Sequence, residues 1–350
     1  MADRVELRAV CKEYAGAVAV ATVDLQIAAG EFVVLLGPSG SGKTTILNMI
    51  GGFVEPTSGA VLIDGVDVTG LPPAKRPTAT VFQDYALFPH MSVQANVGFG
   101  LRMHGVDRAE RERRAAEMLQ LVGLGGFGDR GIHQMSGGQR QRVALARAMA
   151  VEPKVLLLDE PLGALDLALR RQMQEELVRL QKKLGATFVH VTHDQEEAMS
   201  IADRIIVMNH GRIEDMGKPD RIYLRPSSLF SACFMGESNI IDGIVAGAQA
   251  NEIRVTTRLG DMVLPGAVAA GAEVHLALRP EQLLLDPPAG GIDLGEAIVT
   301  EISFQGTHQR CRCRLGEMEV VLRAPVTAGL APGTRARLYA RKSDVVVLTR

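Results

Sequence analysis

The sequence predicts an α/β domain built on a parallel sheet, followed by an all-β domain. Short apolar runs such as 155–158 alternate with helical stretches over the first part of the chain, as strands and their covering helices do around a parallel sheet. From about Pro226 this alternation gives way to short strands separated by Gly and Pro, which is typical of β-barrels and sandwiches. At 350 residues the chain is long for a single core, so we expect two domains.

The composition argues against several classes of protein. Charges nearly cancel, with 38 Lys and Arg against 40 Asp and Glu, and nothing indicates a polyanion-binding surface or an acidic tail. No apolar run approaches the ~18–20 residues of a membrane span, and the N-terminus lacks a secretory pattern, so we expect a cytosolic chain. The cysteines, too few for a disulfide scaffold, are Cys11, Cys233, Cys311 and Cys313. A spacing of two places the last pair on one face of a strand rather than in a metal-chelating arrangement.

The first domain is organised around a glycine-rich loop that fits G-x-x-x-x-G-K-[ST] in full. An apolar, β-rich run at 31–36 precedes the loop, and 45–50 is expected to begin a helix. In this strand–loop–helix context, the loop N–H groups and the helix N-terminus attract an anion. The sequence therefore predicts a phosphate-binding loop. Its predicted ATP-binding residues are Gly37, Pro38, Ser39, Gly40, Ser41, Gly42, Lys43, Thr44 and Thr45.

Side chains of and near this loop have predicted roles. Lys43 would reach the β- and γ-phosphates, and the Thr44 hydroxyl would complete a Mg²⁺ shell. Tyr14 lies in 5–35, a region that alternates as antiparallel strands do, and its ring could stack on an adenine face. The alternative is a surface tyrosine without a ligand, but the phosphate loop favours the adenine platform. We predict a site for a nucleoside triphosphate.

Polar residues follow two further strands of the predicted parallel sheet. Asp159 and Glu160 end the apolar run that starts at Val155, and His193 follows a strand predicted at 187–191. Ligands gather at the carboxyl ends of such strands. We therefore expect Asp159 to hold Mg²⁺ and Glu160 to orient or deprotonate the attacking water. His193 would donate a hydrogen bond to a γ-phosphate. The alternatives are two solvated turn acids and an ordinary loop histidine.

A second anion site is predicted without a lysine. It consists of Ser136, Gly137, Gly138 and Gln139, where the serine would cap a helix whose N–H groups follow two glycines. Taken alone, such a turn is common and needs no ligand.

Three further elements are predicted nearby. They are a short strand at 81–83, a charged helix at 108–122 and a helix at 167–184 that ends before Gly185. The core residues expected on the last helix are Leu169, Met173, Leu177, Leu180 and Leu184.

The all-β region repeats itself weakly. The segment 258–262 resembles 314–318, and 274–283 resembles 336–345, which predicts two related β units of OB-like type. A nucleic-acid role is conceivable for OB-like barrels. Residues 237–350 contain 12 basic and 13 acidic residues and no Trp, so the positive groove and the stacking platform are both missing.

Together these motifs resemble the ATP-binding cassette (ABC) family across the whole first domain. The phosphate loop, the Ser136–Gln139 segment, the pair at 159–160, the run 161–166 and His193 follow one another in the order and spacing of that family. The resemblance also assigns Gln83 to the family's Q-loop and Tyr14 to its adenine-stacking position. One departure is Met135, which stands where the family usually has Leu before the signature.

The resemblance implies a fold and a reaction. It implies a P-loop NTPase domain at 1–236 with a helical subdomain at about 88–150, followed by an OB-like (TOBE) regulatory domain at 237–350. Two copies would pair head to tail, each ATP lying between the loop of one copy and the signature of the other. The implied roles are Glu160 as catalytic base, His193 and Gln83 as γ-phosphate and water contacts, Asp166 at the dimer seam, and Thr44, Gln83 and Asp159 as Mg²⁺ ligands.

The β domain is similar to that of bacterial importer ATPases, and 82–91 and 236–239 are most similar to the polyamine (spermidine/putrescine) importers. The resemblance implies a peripheral protein on the cytoplasmic face of the inner membrane, which serves permease subunits and, through them, a periplasmic solute-binding protein. The permease would dock near Tyr85–Met91. Importers of iron(III), phosphonate, sulfate or sugar are the near alternatives. A soluble cassette ATPase acting on nucleic acid or ribosomes is disfavoured by the absence of a second cassette and of a basic patch.

Overall fold

The computed structural model describes residues 3–163, 166–249 and 251–349. The chain divides into two compact units, which are Met1–Pro219 and Asp220–Arg350. The division lies ahead of the domain boundary expected at 236 and 237, because two short helices at Pro219–Leu224 and Leu229–Phe234 belong with the β-rich unit. Of the predicted motif at 161–166, Ala164 and Leu165 lie outside the described residues. In the described ranges no helix is both long and apolar enough to cross a membrane.

The first unit contains two sheets and several helices. Its strands are β1 (Asp3–Tyr14), β2 (Ala17–Ala28), β3 (Phe32–Leu36), β4 (Ser58–Ile63), β5 (Val66–Asp67), β6 (Thr78–Val81), β7 (Val155–Asp159), β8 (Thr187–Thr192), β9 (Arg204–Asn209) and β10 (Arg212–Gly217). Its helices are α1 (Lys43–Gly51), α2 (Val93–Val97), α3 (Phe99–Met103), α4 (Arg108–Leu121), α5 (Gly137–Ala150), α6 (Leu167–Leu184) and α7 (Gln195–Ile201), with 3-10 turns at Pro73–Lys75 and Ile132–Gln134.

A six-stranded sheet, ordered β10-β9-β3-β8-β7-β6, positions the site. All neighbours in it are parallel except β10, which pairs antiparallel with β9. Every residue of β3 and β8 is buried, as the continuous apolar runs predict for central strands. Because Leu36 pairs with Thr192, and Asp159 with Val191, the carboxyl ends of β3, β7 and β8 meet at one edge.

The second sheet of this unit is antiparallel, with strand order β2-β1-β4-β5. The antiparallel strands expected over 5–35 are confirmed for β1 and β2, which end at Ala28. Residues 32–35 belong instead to β3, which is parallel to both of its neighbours in the six-stranded sheet. One hydrophobic core joins both sheets and α1, and it includes Leu7, Ile27, Ile50, Val61 and Leu157. Helix α1 is therefore held by apolar contacts with both sheets while its first turn stays at the sheet edge.

Two sequence predictions need correction. The strand expected at 81–83 is β6, which ends at Val81, so Gln83 lies in the turn that follows. Helix α6 has the predicted bounds and ends at Gly185 in the left-handed conformation (φ 62°). Its buried stripe is shorter than expected, because Leu184 is 41% exposed and Leu169 only half-buried.

The second unit begins with helices α8 (Pro219–Leu224) and α9 (Leu229–Phe234). Its strands are β11 (Asn239–Gln249), β12 (Glu252–Thr257), β13 (Gly260–Pro265), β14 (Glu273–Leu278), β15 (Ile292–Phe304), β16 (His308–Leu315), β17 (Met318–Pro325), β18 (Arg335–Ala340) and β19 (Val346–Leu348). Turns of 3-10 type lie at Pro280–Gln282 and Val326–Ala328.

The predicted internal repeat appears as two β motifs of identical order. One sheet runs β13-β12-β11-β14, with β19 added beside β14, and the other runs β17-β16-β15-β18. The repeated segments 258–262 and 314–318 form the equivalent hairpin turns β12–β13 and β16–β17. Cys311 and Cys313 share the buried face of β16, as their spacing predicts, and burial raises the pKa of Cys313 to about 11.

A buried arginine ties the two short helices to the β motifs. Arg279, at the end of β14, is 3% exposed and stacks on the Tyr223 ring at 4.2 Å. Its guanidinium donates to the Tyr223 and Ala232 carbonyls at 2.9 and 2.8 Å, to the Gly236 carbonyl at 3.1 Å and to Ser238 Oγ at 2.7 Å. The segment 236–239, which is similar to that of the polyamine importers, therefore supplies acceptors for Arg279.

We expect Arg279→Met to destabilise the second unit by about 2–3 kcal/mol, because a side chain of similar length leaves several buried acceptors unpaired. Thermal unfolding of the full chain measures the change. The control is Arg335→Met, whose side chain is 71% exposed beside Glu296 and whose loss should cost less than about 0.5 kcal/mol. Equal stability of the two variants would contradict a structural role for the buried guanidinium.

Candidate nucleotide-binding site

Two glycines of the phosphate loop are required by the fold. The loop connects β3 to α1, and α1 begins at Lys43. A Cβ on Gly37 would stand 2.2 Å from the Met208 carbonyl oxygen, a contact that no side chain can make. Gly42 has φ 99°, and a Cβ there would lie 2.7 Å from the Ala19 carbonyl oxygen. The backbone of β2 and β9 therefore presses on the loop, which only glycine permits at these positions.

Lys43 lies inside the loop. Its Nζ donates to the carbonyl oxygens of Gly37 and Pro38, each at 2.8 Å. Burial lowers the pKa of Lys43, while the nearby carboxylates of Glu160 and Asp159 oppose the shift. The ammonium group is thus held where the loop backbone curves, bonded to carbonyls that a phosphate oxygen could replace.

Thr44 and Asp159 form the pair of oxygen donors expected for Mg²⁺. The Thr44 hydroxyl donates to Asp159 Oδ1 at 3.1 Å. Burial raises the pKa of Asp159, and the hydrogen bond from Thr44 opposes this rise. A hydroxyl and a carboxylate are hard oxygen ligands of the kind Mg²⁺ takes, and a cation would favour the ionised form of Asp159. Gln83 is exposed in the turn after β6, whose neighbour is β7.

Glu160 and His193 approach each other at the same edge. His193 Nδ1 lies 3.4 Å from Glu160 Oε2, and the imidazole is largely exposed. Glu160 has φ 44°, a left-handed conformation that is strained for a non-glycine residue. Its N–H donates to the Val191 carbonyl at 3.1 Å, which holds it beside the end of β8. The carboxylate and imidazole can therefore contact one water or phosphate oxygen together.

Glu197, which the sequence motifs do not single out, bonds to the strand that precedes His193. Glu197 is buried in α7 and accepts a hydrogen bond from the Thr192 hydroxyl at 2.7 Å. Its other carboxylate oxygen lies 2.9 Å from His190 Nε2, and His190 is fully buried in β8. Asp194 caps α7 by accepting from the Glu197 N–H. An Asp with Glu three residues later is a cap signal that could have indicated this helix start.

Tyr14 lies at the end of the β1–β2 hairpin and is 46% exposed. The Lys12 ammonium lies 5.0 Å from its ring centroid. The β2 strand of this hairpin bonds to Gly211 through the Ala21 N–H, and the Gly211 N–H in turn donates to the Ser41 carbonyl of the loop. The hairpin is thus anchored to the phosphate loop, and the tyrosine ring is open to a ligand.

The signature segment has the predicted helix-capping geometry. Ser136 Oγ accepts from the Gln139 N–H at 3.3 Å, and Gln139 Oε1 accepts from the Ser136 N–H at 3.0 Å. Ser136 is exposed, whereas a Cβ on Gly138 would stand 2.8 Å from the Leu169 side chain of α6. Asp166 caps α6 in the same manner, accepting from the Leu169 N–H at 3.0 Å. Both helix starts therefore present polar groups at the surface.

Two families of domain match the chain. Residues 20–163 match the ABC transporter domain, and residues 276–348 match the TOBE domain. A "Spermidine/putrescine import ATP-binding protein PotA" from Rubrobacter xylanophilus is 47% identical over 326 residues, which is 92% of this chain and 84% of the relative. The protein of the same name from Trichodesmium erythraeum is 45% identical over 348 residues, covering 96% of this chain and 91% of the relative.

Solved structures of ATP-binding cassettes resemble about three fifths of the chain. An ATP-binding cassette described as dimeric, in a post-hydrolysis state bound to ADP and Pi, matches with a TM-score of 0.55 and 36% identity. The match covers 61% of this chain and 98% of that one. The cbiO1 protein of Clostridium perfringens, part of an ABC transporter complex, matches with a TM-score of 0.60 and 30% identity over 63% of this chain and 91% of that one.

Proposed function

Because the chain belongs to the ABC transporter family of ATP-binding proteins, we propose that it is the ATP-hydrolysing subunit of an importer for spermidine and putrescine. The observation that carries this proposal is identity of 45–47% to import ATP-binding proteins over 92–96% of the chain. The similarity therefore includes the TOBE domain, which the cassette alone does not require. Energy from ATP hydrolysis is coupled to transport by this class of subunit.

The geometry at the sheet edge supports the hydrolytic part. In our proposal the phosphate loop binds the triphosphate, Thr44, Gln83 and Asp159 hold Mg²⁺, and Glu160 orients and deprotonates the attacking water. Mg²⁺ would neutralise charge on the β- and γ-phosphates. The Thr44–Asp159 hydrogen bond supports this Mg²⁺ site, because it holds the hydroxyl and the carboxylate close together. The proximity of His193 to Glu160 supports a joint contact with the water and the γ-phosphate.

We propose that the functional unit is a head-to-tail homodimer. One chain supplies a lysine-bearing anion site at 37–44 and a lysine-free one at 136–139, so two chains would enclose two nucleotides. The exposure of Ser136 and its cap geometry support a trans role, because the helix start remains available to a second copy. The dimeric cassette among the structural neighbours is consistent with this pairing. Loss of the γ-phosphate would then open the dimer.

A groove in the helical region is our proposed docking site for the permease. It has a volume of about 270 Å³ and is lined by α2, α3 and α4, with Met91, Phe99 and Arg102 among its residues. Phe88 and Phe99 pack with ring centroids 4.4 Å apart at its margin. Tyr85 is only 9% exposed. The proposed contact surface therefore includes fewer residues of the segment 85–91 than the resemblance implies. A helix of the membrane subunit would fit such a groove.

The proposal places the protein at the cytoplasmic face of the bacterial membrane and is tested by uptake. A strain without this gene should lose most uptake of radiolabelled spermidine and putrescine. Wild-type protein should restore uptake, whereas Glu160→Gln should not. Labelled sulfate and maltose serve as control solutes. If polyamine uptake persists without the gene while that of another solute falls, the assignment of the solute is wrong.

A further inference from the structure

The segment after Gln83 has an unusual backbone conformation. Tyr85 and Ala86 are consecutive residues with φ of 64° and 43°, in the left-handed region that residues other than glycine rarely adopt. Such a conformation persists only where surrounding contacts hold it, and it is commonest at functional sites. The contacts that hold it here come from two other parts of the cassette.

Arg147, on helix α5, supplies the first contact. Its Nη1 donates to the Ala86 carbonyl at 2.6 Å and its Nη2 to the Tyr85 carbonyl at 2.8 Å. The guanidinium carbon also lies 5.6 Å from the centroid of the Phe88 ring. A planar guanidinium can donate to two carbonyls at once. In the left-handed turn the carbonyls of Tyr85 and Ala86 both face Arg147.

The Tyr85 side chain supplies the second contact. It is buried, and its hydroxyl donates to the Pro161 carbonyl at 3.4 Å. Pro161 directly follows Glu160, the proposed base, and Gln83 precedes Tyr85 by two residues. The turn at 85–86 therefore contacts the residue after the proposed base, while Arg147 joins it to the helix that the signature segment begins.

We propose that Arg147 is a positioning residue for ATP hydrolysis, which holds the 85–86 turn so that Gln83 stays in register with Glu160 and with the signature helix. This inference rests on the proposed function, whose catalytic groups it connects. Arg147 itself need not touch the nucleotide. Its loss should therefore lower turnover without weakening ATP binding, which depends on the phosphate loop. A displacement of about 1 Å in a catalytic group can reduce turnover about 100-fold.

The test compares ATPase kinetics of the full-length chain. Arg147→Ala should lower kcat about 10- to 100-fold while the KM for ATP stays within about twofold of wild type. Arg147→Lys should be intermediate, because one ammonium group does not reproduce the planar bridge. Millimolar guanidinium should partly restore kcat in Arg147→Ala. The matched control is Arg142→Ala on the same helix. In the wild-type chain the Arg142 guanidinium pairs with Glu176 at 2.7 Å. The kcat of Arg142→Ala should stay near that of wild type and should not respond to guanidinium.

If the kcat of Arg147→Ala equals that of wild type, the positioning role of Arg147 is wrong, and the proposed function is unaffected. The positioning role is also wrong if Arg147→Ala and Arg142→Ala lose the same activity and guanidinium does not restore it. If Arg147→Ala does not fold, Arg147→Lys decides by the same comparison of kcat and KM. Absence of ATP hydrolysis by the wild-type chain would instead overturn the proposed function, and with it this role.

Discussion

Glu160→Gln should bind ATP with nearly unchanged affinity and lose turnover by about 10²- to 10⁴-fold, the usual contribution of a general base. The amide keeps the size of the side chain and a hydrogen-bonding oxygen, so the strained backbone at Glu160 and the phosphate loop stay as they are. Without hydrolysis the γ-phosphate persists, and a closed dimer should accumulate in ATP and Mg²⁺. Phosphate release and size-exclusion chromatography measure the two effects.

A matched control lies at the other end of the same strand. Glu152 precedes β7, is exposed and has φ 53°, so it shares the left-handed backbone of Glu160 without the site. Glu152→Gln should therefore hydrolyse ATP at the wild-type rate and form no stable dimer. Near-normal hydrolysis by Glu160→Gln would remove Glu160 from the role of base. A similar loss in both variants would show that the effect is not specific to the carboxylate of Glu160.

Lys43→Ala should lose nucleotide affinity itself, raising the dissociation constant for ATP about 10- to 100-fold. Hydrogen bonds from a charged group are worth about 1.5–3 kcal/mol, and the buried ammonium has no substitute inside the loop. The fold should persist, because within the described residues the hydrogen bonds of Lys43 Nζ go to loop atoms, namely the Gly37 and Pro38 carbonyls and Ser41 Oγ. Titration with a fluorescent ATP analogue measures the affinity.

Lys12→Ala is the control for the loss of a nearby positive charge. Lys12 lies beside Tyr14 and donates to the Glu55 carbonyl at 2.7 Å, outside the phosphate loop. Its removal should change ATP affinity by no more than a few fold. Unchanged affinity in Lys43→Ala would contradict phosphate binding by this loop. The two large effects are separable, because Lys43→Ala should bind ATP more weakly, whereas Glu160→Gln should bind ATP with nearly unchanged affinity and not hydrolyse it.

Much of the site could be predicted because its parts are local in sequence. The phosphate loop is one continuous strand–loop–helix unit, and its glycines, lysine and threonine are all adjacent. Asp159 and Glu160 are recognisable from the apolar run before them, and the structure places Asp159 3.1 Å from Thr44. The repeat of the β unit was visible for the same reason, since each hairpin turn is a local pattern.

Contacts between distant segments could not be predicted in this way. Arg147 bonds to carbonyls 61 and 62 residues away, and no property of a helical arginine indicates which backbone it will meet. The resemblance places Tyr85 in the docking segment 85–91, yet its side chain is buried and its hydroxyl bonds to the Pro161 carbonyl. The periodicity of α6 likewise predicts Leu184 as a core residue, yet its side chain is 41% exposed.

The sequence by itself determined the class of ligand, the order of the elements and the residues of the candidate site, because backbone conformation and local side-chain chemistry specify a phosphate loop. Only the tertiary structure decided which strand ends share an edge, which glycines are pressed by neighbouring backbone, and which arginine holds the turn after Gln83. These features depend on the packing of segments that are remote in the chain, and that packing is a property of the whole core rather than of any one segment.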